Sequence, residues 1–124
     1  MWLLLNRATP FVFVFGLVLT TVLLLMPTYA VPKEVDLFDK LLHGSIFVIL
    51  TMTGLIAFPS YARWVVFGLV CYGGLIEVLQ SMLTTTRHGD VVDWAADSLG
   101  IVVGLGAYLV SQKFVKNAIN NIAD

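Results

Sequence analysis

The sequence predicts an all-α polytopic membrane protein, a bundle of four transmembrane helices in up-down order. Three observations lead there. Hydrophobic residues make up 59% of the 124 and charged residues 12%, against about 25% charged in an ordinary soluble domain. Four apolar runs each approach the ~20 residues that cross roughly 30 Å of hydrocarbon. The connections are short and carry polar residues and breakers, as antiparallel neighbours require. A chain of this length forms one domain at most, taken here as residues 1–124.

The first run covers residues 8–26, with Arg7 before it and Pro27 and Pro32 after it. A cleaved leader competes with this reading, because Thr28, Tyr29 and Ala30 loosely match a small-x-small cleavage site. The run exceeds the usual leader core and residues 2–5 are already apolar upstream, so a retained helix is expected. A polar loop over 27–40 then holds Lys33, Glu34, Asp36, Asp39 and Lys40. The second run, 41–58, stops at the breaker pair Pro59 and Ser60. A turn over 61–64 contains Arg63, and the third run spans 65–83. A polar connection over 84–90 leads to the fourth run, 91–110, and to a polar tail with Lys113 and Lys116.

Charge excludes some functions and orients the chain. The formal net charge is −1, so no basic footprint for nucleic acid exists. Arg7, Arg63, Lys113 and Lys116 fall on one side of the runs; Lys33, Lys40 and Arg87 fall on the other. That four-to-three bias favours both termini in the cytoplasm. Seven of the eight acids, all but Asp124, lie on the side of the first and third loops. The polar chemistry therefore gathers at one membrane surface.

Smaller features read as scaffold. Trp2, Tyr61, Trp64 and Tyr108 at one surface, and Tyr29 and Trp94 at the other, are expected as interfacial anchors. Lys113 and Lys116 are expected to meet anionic lipid. The lone Cys71 has no partner for an internal disulfide and reads as a small packing residue. His88 beside Gly89 reads as a solvated turn residue.

Depth sharpens the picture. At about 1.5 Å per residue, His43 sits roughly 6 Å inward from Asp39, and Glu77 roughly 9 Å inward from Leu83. Gln80 lies about half as deep as Glu77, while Asp93 and Asp97 lie roughly 5 and 10 Å inward from Asp90. Three helices thus bring polar groups into one layer. Faces agree: Asp39 and His43 are four apart, and Gly73, Glu77 and Gln80 share a face. Asp93, Asp97, Gly100 and Gly104 form one stripe, whose Gly-x-x-x-Gly spacing lets membrane helices approach closely. The stripe is expected to pack inward, with Asp90 capping the fourth helix.

The same residues carry a resemblance. DKLLH over 39–43, E-x-x-Q from Glu77 to Gln80, and RHGDVVDWAADSLG over 87–100 resemble the VanZ-like membrane proteins in content and order. The likeness covers helices two to four. One departure is that Asp97 stands where that family often has Asn. The resemblance implies action at the cell envelope, since the founding member is associated with raised resistance to the glycopeptide teicoplanin. It assigns no reaction.

Several readings of the polar layer follow. It can be a structural network in which Lys40 and Arg87 neutralise acids while His43 and Gln80 complete hydrogen bonds. It can be a binding site formed by Asp39, Lys40, His43, Glu77, Gln80, Arg87, Asp90, Asp93 and Asp97. Five acids against two cations leave a formal charge of about −3 at ordinary pKa values. That charge suits a cationic group of an antibiotic, peptide or lipid headgroup, or a divalent cation bridging a phosphate. A third reading is a membrane-embedded hydrolase or transferase on a lipid-linked or phosphate-bearing envelope substrate. The catalytic candidates would be Glu77, His43 and Asp93, with Glu77 as general base, His43 as a second acid/base and Arg87 as anion clamp. His43 with Asp93 and Asp97 could also hold a metal, but no H-x-x-x-H, H-E-x-x-H or G-x-S-x-G occurs. The default expectation is therefore non-enzymatic, with no cofactor and no assigned metal. Conduction is disfavoured, because the half nearer the cytoplasm offers only Thr51, Thr53 and glycines; a pore would need a homo-oligomer.

Overall fold

The computed structural model describes residues 2–26, 36–83 and 89–123. Among these it is all-helical: α1 (Trp2–Leu25), α2 (Asp36–Ala57), a 3-10 turn (Pro59–Tyr61), α3 (Ala62–Leu83) and α4 (Val91–Ala123). All four helices are long and apolar enough to cross a membrane. Their outward faces carry large apolar side chains, including Phe11, Phe15, Phe67, Met82, Leu99 and Val102. Apolar surface this extensive on every helix is what a lipid solvent tolerates and water does not. The chain is built as a multi-pass membrane protein.

Helix ends depart from the apolar runs in an instructive way. α1 starts six residues earlier than residue 8, and α2 starts at Asp36, so Asp39 and Lys40 are helical and not loop. α4 continues through the polar tail to Ala123 instead of ending near residue 110. Hydropathy reports the solvent around a helix, whereas the ladder stops only at a breaker, and no Gly or Pro follows Gly106. At the α2–α3 corner a breaker is present. Pro59 opens the 3-10 turn, where its missing N–H costs nothing. The turn is closed by the Tyr61 N–H donating to the Phe58 carbonyl. Residues 28–30, the candidate cleavage site, lie outside the described residues.

Contacts fix the helix directions. His43 meets Asp97 and, further along, Thr51 packs at Gly104, so α2 and α4 run parallel. Thr21 meets Tyr72 and Leu24 meets Gln80, so α1 and α3 run parallel as well. Phe13 packs at Gly54 and Leu50 at Gly16, which makes α1 and α2 antiparallel. Glu77 meets Asp90 and Gly73 meets Trp94, and this makes α3 and α4 antiparallel.

The α2–α4 pair shares the most extensive interface. Its cause is small residues. A Cβ at Gly100 would collide with the Gly44 carbonyl, and one at Gly104 would come within 2.8 Å of the Val48 carbonyl and the Thr51 Cβ. The expected inward stripe is buried at all four positions, Asp93, Asp97, Gly100 and Gly104. Around this seam Leu24, Phe47, Leu50, Leu69, Ile76 and Ile101 form the apolar core. Polar ties hold α1 to α3: the Tyr72 hydroxyl donates to the Leu17 carbonyl at 2.9 Å and lies 2.8 Å from the Thr21 hydroxyl, and the Gln80 amide donates to the Leu24 carbonyl at 2.7 Å.

Candidate functional site

The polar layer is assembled at the end of the bundle where α2 and α4 begin and α3 ends. α2 supplies Asp39, Lys40 and His43 from its first two turns. α3 supplies Glu77, from a buried face it shares with Gly73, Ile76 and Gln80. α4 supplies Asp93 and Asp97, on successive turns above the glycines.

At the centre stands His43, wholly enclosed. Its Nδ1 lies 3.1 Å from Asp97 Oδ1 and 3.9 Å from Glu77 Oε1. Asp97 is also wholly enclosed, while Glu77 and Asp93 are 7% and 8% exposed. Lys40 Nζ lies 3.4 Å from Asp93 Oδ1. Two groups of potential ligand atoms share the imidazole: Asp39, His43 and Asp93, and His43, Glu77 and Asp97. Within each, the atoms lie within 4.8 Å of one another. Four buried side-chain atoms lack a hydrogen-bond partner: His43 Nε2, Glu77 Oε1, Asp93 Oδ1 and Asp97 Oδ2. Of these, Asp93 Oδ1 has its ion pair with Lys40.

The carboxylates are held in place by backbone. Glu77 Oε2 accepts the Asp90 N–H at 2.9 Å, and Asp90 Oδ1 accepts the Val92 N–H at 2.9 Å, the cap expected for α4. Ser81 hydroxyl accepts the Gly89 N–H and donates to the Glu77 carbonyl, stapling the loop end to α3. Gly89 sits so close to that carbonyl that no side chain would fit. Asp97 Oδ2 lies against Gly73, where a Cβ would approach it to 3.1 Å. A charged group within a membrane segment costs about 3 kcal/mol on insertion scales. Three such groups converging on one imidazole are an expensive arrangement for a bundle to keep.

Of the nine residues expected to form the site, Asp39, Lys40, His43, Glu77, Asp93 and Asp97 are brought together. Asp90 joins mainly through its backbone. Gln80 is turned by its amide bond toward the α1–α3 seam. Arg87 lies outside the described residues, as does His88. The ligand set expected around His43, Asp93 and Asp97 is regrouped, with Glu77 taking the place of Asp93 beside Asp97. Two supporting residues escaped the sequence reading. Gly44, directly after His43, gives the backbone gap into which Gly100 packs, and Ser81 lies one turn after Glu77. Both spacings are visible in the chain, but many small residues sit at such spacings in apolar helices.

One expectation is extended and one corrected. Trp94, expected at the interface, also packs inward: its indole N–H donates to the Val70 carbonyl at 3.0 Å, and its ring lies over Gly73 and Gly74. The small glycines make a shelf that a ring can cover. Cys71 is exposed on the outer face of α3 and packs into no core.

No family model, curated protein or solved structure matches this chain. What its own geometry defines is a four-helix membrane-type protein with one buried histidine–carboxylate cluster at one end.

Proposed function

We propose that the cluster is a working binding site in a bacterial-type inner-membrane protein whose termini are cytoplasmic and whose polar end faces outward. The chain then acts at the cell envelope in the manner of the VanZ-like proteins, altering susceptibility to glycopeptide-type antibiotics. One observation supports this above the rest: α3 and α4 place buried, incompletely hydrogen-bonded acids around a histidine from α2, at a single end of an otherwise apolar bundle. A network present only for architecture would be expected to satisfy its own atoms. The excess of acids suits a cationic group of an envelope molecule, or a divalent cation that carries one.

Glu77→Gln, Asp93→Asn and Arg87→Ala, expressed in a strain lacking the native gene, test the reading. Each would be scored for membrane abundance and for antibiotic or envelope-stress phenotype. Loss of phenotype at normal abundance is the expected result. Parallel loss of both would reduce the cluster to architecture.

A second reading has its own support. A buried carboxylate bonded to one nitrogen of a histidine, with the other nitrogen unpartnered, is the orientation that general acid–base catalysis uses. On that reading the chain is a membrane-embedded hydrolase or transferase acting on a lipid-linked or phosphate-bearing substrate. Turnover of such a lipid by the purified protein, lost in Glu77→Gln, would favour it over binding alone.

A further inference from the structure

We propose that His43, Glu77 and Asp97 together hold one divalent cation of the first transition row, at the junction of α2, α3 and α4. The proposal rests on the reading of this cluster as a binding site, and it names the ligand.

The donor set is the first support. An imidazole nitrogen and two carboxylates suit ions of borderline hardness, such as zinc or manganese, better than sulfur-loving or purely oxygen-bound ions. Spacing is the second. Zinc takes His and carboxylate donors at about 2.0–2.2 Å, so two donors on one ion stand no more than about 4.4 Å apart. His43 Nδ1 lies 3.1 Å from Asp97 Oδ1 and 3.9 Å from Glu77 Oε1, both inside that limit.

Unsatisfied atoms are the third and independent support. Each carboxylate has one oxygen engaged: Glu77 Oε2 by the Asp90 N–H, and Asp97 Oδ1 by the histidine. Their other oxygens, Glu77 Oε1 and Asp97 Oδ2, have no hydrogen-bond partner although both residues are more than nine-tenths buried. Leaving such atoms unmet costs about 1–3 kcal/mol each, and more where they are charged. A divalent ion held by His43 Nδ1, Glu77 Oε1 and the Asp97 carboxylate would meet the open Glu77 oxygen and take the place of the Nδ1–Oδ1 hydrogen bond, with Asp97 Oδ2 as the other donor of the same carboxylate. It also balances charge, since two carboxylates and a neutral imidazole offset a charge of 2+. Lys40 is directed to Asp93, outside this trio.

The surroundings fit as well. Metal-bound histidines usually give their second ring N–H to a carboxylate; Nε2 makes no hydrogen bond here, and Asp39 and Asp93 are the carboxylates within reach of the ring. The ligands come from three packed helices, with the α2–α4 glycine seam directly below, so the site is held before an ion arrives. Three protein donors leave room in the coordination sphere for an outside oxygen. A phosphate-bearing headgroup entering past the half-buried Asp39, Lys40 and Asp90 would supply it.

The test uses the full-length chain purified in detergent, stripped with chelator and desalted. Zinc content, Co²⁺ visible absorption and thermal unfolding with added Zn²⁺ or Mn²⁺ would be measured. Variants are Glu77→Gln, Asp97→Asn and, as a buried control away from the trio, Thr51→Val. The expected result is one ion per chain with a raised Tm in the wild type and in Thr51→Val. Affinity should fall at least about tenfold in Glu77→Gln and in Asp97→Asn, as metal sites respond even to changes beyond the ligands. Should either variant fail to accumulate, the other carries the comparison. An ion-free wild type with an unmoved Tm overturns the proposal, as does unchanged binding in the folded variants. If no ion binds yet Glu77→Gln still loses its phenotype at normal abundance, the binding-site reading survives and the metal falls. If the ion binds through this trio while phenotype is untouched, the metal stands and the envelope reading falls.

Discussion

The Nδ1 of His43 on α2 and Oδ1 of Asp97 on α4 stand 3.1 Å apart with both side chains wholly enclosed, joining two helices that run in the same direction. Breaking a buried pair by removing one partner typically costs about 3–5 kcal/mol, because the remaining charge is left alone. Asp97→Ala should therefore destabilise the protein by about that amount in thermal or denaturant unfolding in detergent. Asp97→Asn keeps an acceptor for the ring and should lose clearly less. Equal losses would show that the hydrogen bond contributes little.

The glycine seam makes a steric prediction. Gly100→Val places atoms into the Gly44 carbonyl and forces α2 from α4. Overpacking of a tight interface costs about 1–3 kcal/mol and here acts on backbone that cannot rotate away. Membrane abundance should collapse. Gly106→Ala, where a Cβ meets nothing within 4 Å, is the matched control and should accumulate normally.

A milder effect is expected at the α1–α3 seam. Tyr72→Phe removes the bonds to the Leu17 carbonyl and to Thr21, and Gln80→Leu removes the bond to the Leu24 carbonyl. Intramembrane hydrogen bonds contribute about 0.6–2 kcal/mol. Each variant should fold with a modestly lower Tm, and the double variant should expose α1 to limited proteolysis sooner. Unchanged proteolysis would mean that apolar packing alone holds α1.

Orientation can be read with thiol labelling. In a Cys71→Ser background, single cysteines at Ser60 and Lys113 should label from the cytoplasmic side, and one at Leu37 from the outer side. All three positions are exposed, so access depends on the membrane and not on packing. The reverse pattern would invert the proposed placement and put the cluster at the cytoplasmic surface.

Much of this was legible before any coordinates. Four helices were, because apolar runs of this length have few other uses. The gathering of polar groups from three helices into one layer was too, since a fixed rise per residue sets their depth. The pairings were not. Which acids would stand beside His43 depends on how α2 packs against α3 and α4, and the α2–α4 approach is set in part by Gly44, a residue with no chemistry of its own. The bond from the Gln80 amide to the Leu24 carbonyl was not legible, because depth does not say which neighbour lies across. The reach of α4 was missed because a polar sequence can remain helical once it leaves the lipid.

α4 has 33 residues, about 50 Å at helical rise, and it is the last of the four to be synthesised. Its tightest partner, α2, emerges much earlier, with all of α3 in between. A nascent chain that has released only three helices already contains His43 and Glu77 but neither Asp97 nor the glycine stripe. The cluster is thus completed only once α4 has been made. A product that stops before α4 would present a half-built polar face to lipid.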